Sequence, residues 1–185
     1  MNNNINIVRS NRKSIAIEIK RDCSILVRAP FLMSDSEIER FIHTKKDWIC
    51  HQIDKIEARQ AQLCDVKKLS DEELQQLRKL ASNVIPIKVK QYASVMHVQY
   101  GRIAIRTHKT RWGSCSSKGN LNFNCLLMLA PDEVVDYVVI HELCHLLEMN
   151  HSPNFWIKVE QVMPNYKVHK KWLQDHGEEI MRKVF

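Results

Sequence analysis

Four glycines and five prolines in 185 residues are too few for a linker-dominated, collagen-like or low-complexity chain. No run of roughly 18 apolar residues occurs, so no segment reads as a membrane span. The opening Met1-Asn2-Asn3-Asn4-Ile5 lacks the basic and apolar regions of a signal peptide, and the expected compartment is the cytoplasm, without a membrane partner. The six cysteines (Cys23, Cys50, Cys64, Cys115, Cys125, Cys144) include no C-x-x-C pair, which fits reduced thiols better than a disulfide framework. Phosphate-binding order of the G-x-x-x-x-G-K type is missing, as are Gly/Arg repeats and groove-reading motifs. The formal net charge of +7 is spread along the chain and reads first as solvated surface, with an anionic partner such as nucleic acid second.

What is present is a core-forming composition: 44% hydrophobic and 26% charged residues, enough for one ordinary domain with a small appendage. Ile5 to Val8, Ser14 to Lys20 and Ser24 to Arg28 alternate as half-buried strands, and the short Lys20 to Cys23 link predicts an antiparallel β unit. Ser34 and Ser36 offer caps, with Glu37 and Glu39 completing capping boxes, for a helix over about 35–60 whose stripe is Ile38, Phe41, Ile42, Trp48, Ile49, Ile53 and Ile56. Ser70 caps a second helix that Pro86 is expected to kink or divide. His97 to Tyr100 and Arg102 to Arg106 read as strands paired around Gly101, and a further strand, turn and strand cover Thr110 to Leu126. Pro131 opens an almost continuously apolar helix; Asn154 to Met163 and Tyr166 to Val184 supply the last two. The expected class is α+β: a short, mostly antiparallel sheet packed on that apolar helix, with residues 1–65 as an N-terminal accessory part and 66–185 as the catalytic part.

The apolar helix carries His141-Glu142-Leu143-Cys144-His145. Residues i and i+4 share a helix face, so both imidazoles can address a single metal ion with Glu142 beside them. Zinc in a hydrolase takes three protein ligands and leaves one position open. For the third, residues within reach are His151, Glu148 and Glu160. A straight helix would rotate His151 away, so the chain must turn, and Asn150 is expected to reverse it in a left-handed conformation while Ser152 and Pro153 start the next helix. Glu142 has no reason to stand here in a purely structural site; as a general base it would take a proton from zinc-bound water, whose pKa falls towards ~7. Tyr166, His169 and Arg111 are the candidates for stabilising an oxyanion.

A wider set of residues carries a resemblance. Arg111-Trp112-Gly113-Ser114-Cys115-Ser116, Gly119-Asn120-Leu121 with Asn124, Tyr137 to His145, and Asn150-His151-Ser152-Pro153-Asn154-Phe155-Trp156 together resemble the YgjP-like metallopeptidase family, related to the SprT and Spartan zinc proteases and to small gluzincins. The resemblance implies a zincin-like fold, supports His151 as third ligand, and implies that the strand near Arg111 to Ser116 borders the cleft. One Zn2+ per chain is expected, and the candidate substrate contacts are Arg111, Trp112, Gly113, Ser114, Asn124, Tyr166 and His169. A peptide or protein substrate is implied by the resemblance. Two other functions remain open at this level: a metal-dependent nucleotide phosphohydrolase on the same residues, and a nucleic-acid-associated module with structural zinc.

Overall fold

The aliphatic run of Ile25-Leu26-Val27 is buried on both faces, which is why it becomes the middle strand of the first sheet. The computed structural model describes residues 5–63 and 65–185, and divides into two units, Met1–Asp65 and Val66–Phe185. In the first unit β1 (Ile5–Ser10), β2 (Ala16–Ile19) and β3 (Ile25–Pro30) stand in the order β1-β3-β2. Strands β2 and β3 are antiparallel, joined by a tight turn in which Cys23 takes φ 60 and Asp22 accepts hydrogen bonds from the N–H and hydroxyl of Ser24. Strand β1 pairs with β3 in parallel, correcting the expectation of an antiparallel unit. The chain reverses twice before reaching β3, so the first and third strands run the same way once β3 takes the centre.

The helical stretch after Pro30 is also broken where one helix was expected. The Ser34 and Glu37 capping box starts α1 (Asp35–Thr44), Lys45 leaves helical geometry at φ −102, and α2 (Lys46–Leu63) follows. Ile38, Ile49 and Ile53 close over Val27 and Ala29 as the small core of this unit, while Trp48, expected inside, is exposed. The Cys64 position lies outside the described residues.

The second unit begins with α3 (Asp71–Val95), capped by Ser70 and Glu73. Ala81, Ile85, Val89 and Ala93 recur every fourth residue as its buried line, and the helix runs undivided past Pro86. Segment 97–100 is not a strand: His97 turns at φ 54 and the Val98 N–H remains bonded to the Ala93 carbonyl at 3.0 Å, so only β4 (Ile103–Arg106) forms. Strands β5 (Gly113–Cys115) and β6 (Leu121–Asn124) complete a sheet ordered β4-β6-β5, with β4 parallel and β5 antiparallel to β6. The sheet is therefore mixed rather than mostly antiparallel, for the same reason as the first. At Asn124 the side-chain carbonyl accepts from the Leu126 N–H and turns the chain into a short 3-10 segment, Cys125–Leu129, ending the strand.

Helix α4 (Asp132–Cys144) is buried on nearly every face and packs against α3, β5, α5 (Pro153–Val162) and α6 (Tyr166–Arg182). Its acidic first turn favours the positive end of the helix dipole. There Lys88 of α3 bridges Asp132 and Asp136 at 2.8 and 2.7 Å. Lys88 and Asp136 are 14% and 15% exposed, so Lys88→Ala leaves Asp136 half-desolvated without its cation. A loss of about 1–3 kcal/mol is expected, seen as a lowered Tm in thermal denaturation; an unchanged Tm would show the bridge to be neutral. Among the described residues no helix is long and apolar enough to cross a membrane. The fold is α+β, with two small sheets and six helices among the described residues.

Candidate metal centre

Helix α4 places His141 and His145 one turn apart on one face, and then stops at His145. Leu146 and Leu147 donate to the carbonyls of Leu143 and Cys144 at 3.0 Å, tightening the last turn, and the Glu148 N–H returns to Cys144 at 2.9 Å. Asn150 does not adopt the expected left-handed conformation; among the described residues only Cys23 and His97 do so without being glycine. The reversal is spread over residues 145–152 instead, helped by a 2.8 Å bond from the Ser152 N–H to the Asn150 carbonyl. Ser152 then caps α5 by accepting from the Phe155 N–H, with Pro153 at its first position. His151 is thereby held between two fixed helix ends.

The three imidazoles form a nearly equilateral triangle, with ring centroids 4.9 Å apart for His141–His145, 4.9 Å for His141–His151 and 4.7 Å for His145–His151. Phe155, fully buried, lies almost equidistant from all three, at 4.9, 4.6 and 4.8 Å. Its ring is the common floor of the triangle. Trp156 stacks on His151 and on Tyr166, which in turn stacks on Tyr137, whose ring meets His141 edge-on. Lys170 sits 3.9 Å over the Trp156 ring.

This arrangement fits a divalent metal. One ligand atom from each of His141, His145 and His151 lies within 4.8 Å of the others, and Nε2 of His141 and His151 are 3.0 Å apart, near the spacing of about 3.3 Å expected for two nitrogens on one tetrahedral zinc. His145 meets the Glu148 carbonyl through Nδ1 at 3.1 Å, which leaves Nε2 for a metal and fixes the ring. Burial, and then the neighbouring histidines and Lys170, push His141 down to about 3, and burial also lowers His145, so both are neutral and in ligating form. Two buried polar atoms at the site lack a partner: His141 Nδ1 and Glu142 Oε2. The carboxylates of Glu148 and Glu160 are not part of the cluster, and Glu160 faces Lys167 instead.

Glu142 is 5% exposed, and its carboxyl is pushed up to about 8 by burial, against the pull of Arg111. Its side chain lies against Gly113 of β5. The other residues expected to face a substrate divide into two sets. Arg111 is exposed and its charge reaches Glu142. Trp112, by contrast, packs its indole on Gly177 of α6, and Asn124 is fully buried, its amide donating to the carbonyls of His108 and Arg111 at 2.8 and 3.0 Å. These two build β5 from behind. Ser114 lies between Gly113 and Cys115 in the strand, so its side chain takes the opposite face from Glu142, where Asn122 donates to it at 3.2 Å. Tyr166 is buried in the ring stack, and His169 is half-buried on α6. Phe155 entered the sequence reading through the family resemblance; its place beneath the triad comes from its position in the first turn of α5, four residues after His151. Nothing local marks Gly177, except that it is a glycine inside an amphipathic helix.

The model of the family described as YgjP-like, metallopeptidase domain, matches residues 13–75 and 65–176, which include all three histidines and Glu142. The chain belongs to the YgjP-like metallopeptidase family. As a YgjP-like protein it is a metal-dependent peptidase by class, which agrees with the donor set just described. Among solved structures it is similar to the metallopeptidase zymogen of Pyrococcus abyssi abylysin, with 23% identity, 50% of this chain and 94% of that chain covered, and a TM-score of 0.45. It is also similar to the metallopeptidase zymogen of Methanocaldococcus jannaschii jannalysin, with 21% identity, 49% and 95% covered, and a TM-score of 0.43. No curated protein matches the sequence. The nucleotide and nucleic-acid readings gain no support from these comparisons.

Proposed function

We propose that the chain is a zinc peptidase in which His141, His145 and His151 hold the ion and Glu142 is the general base. The observation that carries this reading is Glu142 itself: a carboxylate beside three converging imidazoles, with Oε2 buried and unpartnered. A buried carboxyl oxygen without a hydrogen-bond partner is costly to keep and makes no structural bond here, and the same burial raises the basicity of the group. Zinc is preferred for three neutral nitrogen donors; when bound, it acts as a Lewis acid that acidifies water and polarises a carbonyl. Glu142 accepts the proton at Oε2 and returns it to the departing amine, the step that a peptide bond requires because an amide ion is a poor leaving group. Among the described residues strand β5 pairs with β6 alone, so its other edge offers main-chain hydrogen bonds to an extended peptide beside Glu142. Arg111, next to this edge, is placed to bind a negatively charged or developing anionic group.

The test is exposure of zinc-loaded protein to a proteome-derived peptide library, read by mass spectrometry. New termini are expected, lost on treatment with a chelator and regained on adding zinc. Cleavage that survives exhaustive chelation, or no cleavage by protein carrying one zinc per chain, would overturn the reading.

A further inference from the structure

Strand β5 passes so close to the metal helix that one of its residues has room for no side chain. A Cβ built on Gly113 would lie 2.6 Å from Glu142 Oε1, 2.7 Å from its Cγ and 2.8 Å from its Cδ. The conflict therefore involves the body of the glutamate side chain and not only its flexible end. Gly113 is not in the left-handed region, so conformational freedom does not explain a glycine here. Space does.

Neither partner can withdraw. On the strand side, the Asn124 N–H bonds to the Trp112 carbonyl at 2.8 Å and the Asn124 amide to the Arg111 carbonyl at 3.0 Å, while Gly113 is in register with the fully buried Phe123. The Trp112 indole is seated against Gly177, where even a methyl group would come within 3.1 Å of it. On the helix side, Glu142 is followed by Leu143 and Cys144, both fully buried. Both walls are thus set by packing that has no other route to relax.

We propose that Gly113 is the positioning residue for Glu142: its missing side chain forms the notch that holds the carboxylate beside the histidine triad. The catalytic part of this inference rests on the peptidase reading; the contact itself does not.

The experiment is a double-mutant cycle with Gly113→Ala and Glu142→Ala, measuring Tm and bound zinc for all four proteins, and kcat and KM on library peptides that the wild type cleaves. Gly113→Ala is expected to lower Tm by about 3–8 °C when Glu142 is present and by no more than about 1 °C in the Glu142→Ala background, where the conflicting atoms are gone. Zinc should stay at one per chain, with kcat down about 10²-fold and KM within about twofold. A merely structural defect would not produce that split. An equal Tm shift in both backgrounds, or full kcat in zinc-loaded Gly113→Ala, overturns the proposal. If the wild type cleaves nothing, the peptidase reading falls, while the Tm coupling still decides whether Gly113 holds Glu142.

Discussion

Glu142→Gln is expected to reduce turnover by about 10²–10⁴-fold with one zinc ion per chain still bound. The amide has the shape of the carboxylate and fits the same space against Gly113, so the histidine triangle is left intact. What disappears is a proton acceptor at Oε2, the atom that has no other partner. Metal content from elemental analysis, measured beside cleavage of library peptides, separates loss of the base from loss of the ion. Wild-type turnover in the zinc-loaded variant would remove Glu142 from the mechanism.

Phe155→Ala should have the second-largest effect, and of a different kind. The ring touches all three imidazoles and is fully buried, so truncation opens a cavity directly beneath them. A stability loss of about 3–5 kcal/mol is expected from the cavity, measured by urea denaturation of the metal-free protein. Zinc affinity, measured by competition with a chelating dye, should fall about 10–100-fold, the range typical for residues that orient metal ligands. Phe155→Leu restores most of the volume without the flat faces, and is expected to recover more of the stability than of the affinity. Unchanged affinity in Phe155→Ala would mean that the helix ends at His145 and Ser152 suffice to set the triangle.

These two residues illustrate what could be read from the chain alone. His141, Glu142 and His145 were legible because helical periodicity relates neighbours in sequence directly to neighbours in space. Ser152 and Pro153 announced the start of α5 by cap chemistry, and the structure agrees. The route between them was not legible: a spread turn took the place of a single left-handed Asn150, since several weak backbone bonds can share the reversal. Strand segments β1 to β3 and β6 were visible from alternation, and short links gave the antiparallel β2–β3 and β5–β6 pairs; the parallel β1–β3 and β4–β6 pairs were not visible, because alternation specifies a face and says nothing of direction or neighbour. His97 to Tyr100 alternates like a strand but stays tied to the end of α3 by the Val98 to Ala93 bond. Trp112 and Asn124 belonged to a motif expected beside the cleft, and only tertiary packing shows Trp112 seated on Gly177 and Asn124 tied to the carbonyls of His108 and Arg111.

The three imidazoles come from a single stretch, His141 to His151, whereas the wall against Glu142 comes from a strand much earlier in the chain. Ion capture and proton transfer thus depend on contacts of very different sequence range. On the proposed reading, a partly folded chain in which β5 has peeled from β6 would keep its histidines close in sequence and some hold on zinc, so that part of the binding free energy would be shared with non-native states and would not add to thermal stability. With Glu142 as the proposed base, an ion held early by the local histidines would leave the chain unable to cut until the distant strand is in place and the fold complete.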